Sequence, residues 1–427
     1  MEQPVRVGLL GCGGVGSALV RLIGERSAAV EARTGLRLAI TRVAVRDIAK
    51  TRPVELADGV LTDDAAAVVA DPDVDVVVEL IGGVEPARSL LVQALRAGKP
   101  VVTANKELLA VAGSELFEAA AGSGVDLLFE AAVGGGIPII RPLRESLVGE
   151  RVRRITGIVN GTTNYILTRM SEDGAGYADA LGEAQRLGFA EPDPTADVEG
   201  LDAGAKLAIV ATIAFGASVV ADDVHHEGIS SVTADDIGFA HRLGYEVKLL
   251  AIAEQDDDGR IAVRVHPAMV PRDHPLATVR DAFNAVFVEG DAVGPLMFYG
   301  RGAGGEPTAS ALLGDLVDAA TNLRRGGGGP ALRPLPKARI RPVDELRSEY
   351  YLDLEVLDEP GVLHAVSGVF AEHGVSIRSM EQEGLGDEAR LVFITHEALE
   401  ASVQATLAGL RKLDVVDRVA SVVRVLS

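Results

Sequence analysis

The chain has 427 residues, 48 % hydrophobic and 24 % charged, with a formal net charge of −21 and one cysteine. That length implies two or three domains, the acidic balance argues against a nucleic-acid backbone or an anionic membrane as partner, and one cysteine excludes an internal disulfide or a thiolate metal cage. No apolar run approaches the roughly 18–20 residues of a membrane span, and the stretch Met1 to Val7 lacks the plan of a signal peptide, so a cytoplasmic protein is expected.

Val5 to Leu10 is a short apolar run of the kind a buried parallel strand shows. It leads into Gly11-Cys12-Gly13-Gly14-Val15-Gly16 and a helical pattern from Ser17 to Gly24. This is GxGxxG between strand and helix. Gly11 permits the tight turn, Gly13 lets backbone approach a pyrophosphate, and Gly16 lets helix lie close to strand. The helix N-terminus supplies free N–H groups for the phosphates. Cys12, near that N-terminus, is read as small enough to fit rather than as a redox group. Leu38 to Val45 continues the βαβ pattern. At its end Asp47 suits ribose hydroxyls, whereas Arg46, Lys50 and Arg52 suit a 2′-phosphate. Both are present, and the reading favours NADP with NAD tolerated.

Strands are expected at Val74 to Leu80 and Pro100 to Thr103, the second followed by Asn105-Lys106-Glu107 entering a helix. Ligands bind at the carboxyl ends of such strands, and the first turn of a helix is a poor place for a positive charge. Lys106 is therefore a candidate functional lysine. Val125 to Phe129 reads as a strand, followed by a glycine-rich turn from Glu130 to Pro138. That turn either connects domains or offers carbonyl oxygens to a hard cation. Ile155 to Val159 is strand-like, and Asn160 to Tyr165 opens a helix with residues that either cap it or grip a ligand.

Glu191-Pro192-Asp193-Pro194, then Asp197, Asp202 and Lys206, precede and enter the apolar run Leu207 to Phe215. The prolines bar helix before Thr195, so one helix is expected to begin near the acidic cluster. Asp202 and Lys206, four apart, share a helix face. Carboxylates at a helix start suit its dipole; the alternative is a site that binds an ammonium group and presents a lysine to a reacting oxygen. His225 and His226 read as solvated. Ile237 to Ile252 and Ile261 to Val270 look like helix-to-strand material, Ala285 to Leu296 like two strands around Gly290, and Glu306 to Leu323 like a helix packing back on the nucleotide domain.

From Ala184 to Lys206 the order and spacing of residues resemble homoserine dehydrogenases, as do the glycine loop, Asn105 to Glu107, Glu130 to Pro138 and Asn160 to Asn164. The likeness spans roughly residues 5–325. It implies NAD(P)H-dependent interconversion of aspartate 4-semialdehyde and homoserine, in threonine, methionine and isoleucine synthesis. By matching position, Lys206 resembles the proton donor and Lys106 its partner. Glu191 and Asp202 resemble substrate-binding carboxylates, with Asp197, Gly161 and Thr162 nearby. Gly11, Gly13, Gly14, Val15, Gly16, Arg46, Lys106, Gly188 and Gly305 resemble cofactor contacts. Main-chain oxygens of Glu130, Val133, Gly135 and Ile137 resemble a sodium site. The chemistry agrees: hydride reduction of an aldehyde leaves negative charge on oxygen, and a lysine supplies both proton and positive charge.

The glycine run Gly326 to Gly329, with Pro330, reads as a linker. Beyond it the order is βαββαβ, a ferredoxin-like arrangement: strand Tyr350 to Val356, helix Val362 to His373, strands Val375 to Gln382 and Glu388 to Thr395, helix Leu399 to Leu413 and strand Val415 to Val425. Asp358 to Leu363 followed by Gly374 to Ile377 resembles an ACT domain, which implies an amino-acid effector such as threonine; the alternative is a dimerisation module without ligand.

The expected architecture is α/β throughout. A Rossmann-type doubly wound nucleotide domain spans 1–140 and is completed by 306–325; an α+β substrate and dimerisation domain spans 141–305. A linker follows at 326–346 and a ferredoxin-like ACT domain at 347–427. A homodimer or homotetramer with a small-molecule substrate is expected. Aspartate-semialdehyde dehydrogenase, which needs a cysteine beside the nicotinamide, is disfavoured because Cys12 lies in the phosphate loop. A catalytically silent, nucleotide-binding amino-acid sensor is the alternative from another class.

Overall fold

The computed structural model describes residues 3–330, 334–384 and 388–426. The sequence expectations for 1–2, 331–333, 385–387 and 427 lie outside the described residues. The described chain falls into two compact units, one of residues 1–155, 205–224 and 284–338, the other of 156–204, 225–283 and 339–427.

The first unit begins with β1 (Val5–Leu10), α1 (Gly14–Thr34), β2 (Leu38–Ala44), β3 (Leu61–Thr62), α2 (Ala65–Ala70), β4 (Val76–Glu79), α3 (Ala87–Arg96), β5 (Val101–Thr103), α4 (Lys106–Ser123) and β6 (Leu127–Leu128). These strands form an all-parallel sheet in the order β3-β2-β1-β4-β5-β6. The central strands are apolar on both faces because helices cover both, as the consecutive residues Val76, Val77 and Val78 of β4 show by their complete burial. The order reverses between β1 and β4, the point where such sheets bind ligands. Helix α1 runs well past Gly24, because nothing breaks it until Gly35 turns left-handed (φ 73°).

The chain continues through β7 (Val152–Ile158), α5 (Gly161–Asp173), α6 (Tyr177–Arg186), α7 (Thr195–Val198), α8 (Leu201–Phe215), β8 (His225–His226), α9 (Ala234–Arg242), β9 (Tyr245–Gln255) and β10 (Ile261–Pro271). The hairpin β11 (Phe283–Gly290) and β12 (Gly294–Arg301) follows, then α10 (Gly305–Arg324). Helix α10 belongs to the first unit, where Leu312 and Leu316 share the core of β1 and α1.

The last elements are β13 (Arg347–Leu357), α11 (Val362–Glu372), β14 (Ile377–Gly384), β15 (Glu388–Thr395), β16 (Ala398–Leu399), α12 (Glu400–Leu410) and β17 (Val416–Val425). Their sheet order β17-β13-β15-β14 is antiparallel and ferredoxin-like. Its core is built from Tyr350, Leu352, Val366, Phe370 and Phe393. This module does not stand apart. Strand β17 pairs in parallel with β10 at Ala268 and Met269, extending the β9–β10 sheet of the second unit. The connector is strapped down: Ser218 N–H donates to the Pro336 carbonyl, Ile261 N–H to the Arg339 carbonyl, and Arg341 N–H to the Ile261 carbonyl.

Candidate active site

The phosphate loop has the shape its glycines require. Gly11 is left-handed (φ 97°), and a Cβ there would lie 2.6 Å from the Leu80 carbonyl oxygen. A Cβ on Gly16 would lie 2.6 Å from the Gly11 carbonyl oxygen, so helix and strand meet without clearance. At Gly13 and Gly14 a Cβ would meet nothing within 4 Å. That open cradle, with Val15 on the first turn of α1, is where a pyrophosphate fits. A second helix start adjoins it: a Cβ on Gly305 would be 3.8 Å from the Gly14 carbonyl oxygen. Two N-termini, of α1 and α10, therefore present free N–H groups side by side. Cys12 is buried, its Sγ 3.6 Å from the Ser17 hydroxyl.

Arg46 is exposed just past β2. The Asp47 carboxylate accepts from Ala49 N–H, and Arg52 donates to the carbonyls of Asp47 and Lys50. Asp47 thus shapes its own turn.

Lys106 is the first residue of α4, behind a ring of bonds that sequence reasoning missed. Glu79, fully buried at the end of β4, accepts from the N–H groups of Ile81 and Gly82 and from the Thr103 hydroxyl. That hydroxyl oxygen accepts from Asn105 N–H, Asn105 Nδ2 donates to the Gly83 carbonyl, and Asn105 Oδ1 caps α4 by accepting from Leu108 N–H. The ends of β4 and β5 and the start of the Lys106 helix are one rigid assembly.

The acidic cluster departs from expectation. One helix was expected to start there; Gly200, left-handed at φ 80°, splits it into α7 and α8. Asp197 lies on α7, while Asp202 and Lys206 lie one turn apart on α8, both nearly buried. Asn160 joins the two aspartates: its Nδ2 donates to Asp197 at 2.7 Å and to Asp202 at 2.9 Å. Its Oδ1 accepts from Thr163 N–H and caps α5, which fixes which way the amide faces. Capping and gripping, alternatives in the sequence, fall to opposite ends of one amide.

Gly161 and Thr162 follow directly. A Cβ on Gly161 would be 2.8 Å from the Ala282 carbonyl oxygen. The Thr162 hydroxyl donates to the Phe189 carbonyl at 2.6 Å, and the Tyr165 and Phe189 rings pack with centroids 4.8 Å apart, tilted at 41°. These contacts anchor the stretch carrying Gly188 (φ 77°) and Glu191. Glu191 is exposed, so the structure joins Asp197 and Asp202 but leaves Glu191 at the surface. Deeper in α5, Asn164 Nδ2 donates to the Asp281 carbonyl, and the buried Lys248 ammonium donates to Asn164 Oδ1 and the Val279 carbonyl. Burial pushes Lys248 down to about 8.

In the Glu130 turn the carboxylate is not free for a ligand. It accepts from the N–H groups of Ile139, Ile140 and Arg141. Gly134 and Gly135 are both left-handed, and the Gly134 carbonyl accepts from Ile137 N–H. Asp315 on α10 accepts from Glu130 N–H and pairs with Arg141; burial, then the nearby Glu130 charge, raise it to about 7. Among the described residues no group of three or more His, Cys, Asp or Glu side chains forms a metal site. His226 is exposed as expected, but His225 is not simply solvated: its Nε2 lies 2.9 Å from Glu227 within β8. Among the described residues no helix is long and apolar enough to cross a membrane.

A phosphate-cradling Rossmann sheet, carried on one chain with an aspartate-and-lysine helix, defines an NAD(P)-dependent oxidoreductase. Residues 11–130 match the family described as homoserine dehydrogenase, NAD binding domain, residues 138–317 match homoserine dehydrogenase, and residues 350–415 match the ACT domain. A homoserine dehydrogenase of Mycobacterium tuberculosis is 51 % identical, over 99 % of this chain and 98 % of that protein. The crystal structure of one from Thiobacillus denitrificans superposes with TM-score 0.94 at 43 % identity, covering 100 % of this chain and 99 % of that one. A hyperthermophilic archaeal homoserine dehydrogenase in complex with NADPH gives TM-score 0.65 at 30 % identity, covering 78 % of this chain and 100 % of that one. The chain belongs to the homoserine dehydrogenase family and ends in an ACT domain. Full-length likeness to enzymes of this family leaves the silent sensor unsupported.

Proposed function

We propose that the chain catalyses the reversible NAD(P)H-dependent reduction of L-aspartate 4-semialdehyde to L-homoserine, with Lys206 as the proton donor. Reduced nicotinamide, when bound over the glycine cradle, supplies the hydride. Lys206 gives a proton to the aldehyde oxygen as negative charge develops there, and Lys106 adds positive charge. Asp202 and Glu191 bind the substrate ammonium. Asp197, Gly161 and Thr162 shape the wall beside it. Arg46 favours a 2′-phosphate, hence NADP with NAD tolerated.

The observation that carries this reading is the Asn160 amide bonded both to Asp197 on α7 and to Asp202, one helical turn before Lys206 on α8. It fixes Asp202, one of the two carboxylates assigned to the ammonium, against Asp197 of the wall, with a nearly buried lysine one turn further along α8. A surface acidic helix start has no need of such a bridge.

The resemblance to the family is the ground for assigning a sodium ion to the main-chain oxygens of Glu130, Val133, Gly135 and Ile137. Gly134 has its carbonyl engaged by Ile137 N–H and is not among them. The ACT domain supports feedback by an amino acid such as threonine; membership of the family is the ground for reading a cytoplasmic homodimer or homotetramer serving threonine, methionine and isoleucine synthesis.

The test is NADPH oxidation with aspartate 4-semialdehyde by the native enzyme and Lys206→Ala. Turnover is expected to fall by roughly two to four orders of magnitude while NADPH affinity changes little. Equal turnover in the variant reassigns the proton donor.

A further inference from the structure

The second unit contains a cleft of about 320 Å³ between the loop 227–232 and strand β17. Its lining includes Glu199, Arg411 at the C-cap of α12, Ser230, Ser421 and the buried Val423. Among the described residues the Glu199 carboxylate and the Arg411 guanidinium form no hydrogen bond or ion pair. The neighbouring Glu227 differs, since His225 and Arg424 occupy its carboxylate. One negative and one positive group, neither in a hydrogen bond or ion pair, thus line a space with ample room for a small amino acid. The strand wall is irregular there. Ser421 pairs with Asp353 and Val419 with Leu354, leaving Ala420 as a bulge, a device that re-aims side chains beside sites.

The cleft is wired to the aspartates. Glu199 sits in the short link between α7 and α8, that is, between Asp197 and Asp202. The loop grips this link: Ile229 N–H donates to the Val198 carbonyl, and a Cβ on Gly228 would meet Glu199 Oε2 first, then that carbonyl oxygen at 2.5 Å and Glu199 Cα at 2.8 Å. Such contact without clearance transmits a displacement of Glu199 to both helices.

We propose that this cleft binds a small α-amino acid as its zwitterion, ammonium on Glu199 and carboxylate on Arg411, and so adjusts the Asp197–Asn160–Asp202 bridge from the ACT side. The proposal rests on the regulated-enzyme reading and assigns its effector to β17 rather than to the first ACT loop at Asp358 to Leu363.

Calorimetry of the full chain with L-threonine, L-methionine and L-isoleucine, beside inhibition assays, tests it on Arg411→Gln, Glu199→Gln and Asp358→Asn. Both cleft variants are expected to weaken the binding amino acid at least about tenfold. Arg411→Gln should keep its uninhibited turnover and Asp358→Asn its binding. Unchanged affinity in both cleft variants, or loss confined to Asp358→Asn, overturns the location while inhibition of the native enzyme keeps the regulatory reading. No binding and no inhibition by any of the three at millimolar concentration overturns both.

Discussion

The side-chain nitrogen of Asn160 lies 2.9 Å from Oδ2 of Asp202, a residue 42 positions further along the chain. The same nitrogen reaches Asp197, so a neutral donor holds together two carboxylates that otherwise repel. Removing it unbalances a buried polar network, where partial satisfaction is worse than none.

Asn160→Ala is accordingly expected to lower kcat/KM for aspartate 4-semialdehyde by about 10–100-fold, the size of one lost charge-assisted contact network. The lost cap on α5 costs about 1 kcal/mol of stability as well. NADPH affinity, measured by fluorescence titration, should stay near the native value. A variant with native kcat/KM removes the bridge from the mechanism.

Thr103→Val keeps the shape of β5 but withdraws the hydroxyl between Glu79 and Asn105. Glu79 then loses one of its buried partners, at roughly 1–3 kcal/mol. Urea unfolding should show this loss, and turnover should fall with it because the Lys106 helix start is no longer held. Native stability and native turnover together sink the idea that this ring positions Lys106.

Gly13 and Gly16 should respond in opposite ways. Gly13→Ala has room in the free protein, so melting temperature should hold while NADPH affinity drops by about tenfold or more, as the methyl occupies the phosphate approach. Gly16→Ala strikes the Gly11 carbonyl and should destabilise by about 1–3 kcal/mol before any cofactor is added. Equal effects of both on stability would contradict the separate roles.

Asp315 gives stability a pH dependence of known sign. Its folded value, about 7, exceeds its ordinary 3.8, chiefly through burial. Between those values the folded chain holds a proton that the unfolded chain has released, so stability falls as pH rises through the window. Below it the contribution is complete; above about 7 it is gone. Asp315→Asn should flatten this slope by on the order of 4 kcal/mol across the window, read by urea unfolding at successive pH values. Parallel slopes for variant and native protein rule it out.

Much of the nucleotide unit is local information. The glycine spacing, the apolar runs of β1, β2, β4 and β5, and the βαββαβ order at the C-terminal end each lie within a few dozen residues, where period and turn chemistry decide. The short strand β3 and the helix α2 escape that reading because they are brief, whereas α3 is legible in the helical spacing of Ala87, Leu90, Leu91, Ala94 and Leu95, though absent from the expected elements.

What the chain could not announce is which distant groups meet. Gly200 needed a left-handed turn to set Asp197 and Asp202 on separate helices, and Asn160 had to come back across the fold to join them. Nothing in residues 326–346 foretells that β17 continues the β9–β10 sheet. Hydrophobic period and steric freedom are written residue by residue. Hydrogen bonds between partners dozens of positions apart exist only once burial has removed the water that would otherwise satisfy them.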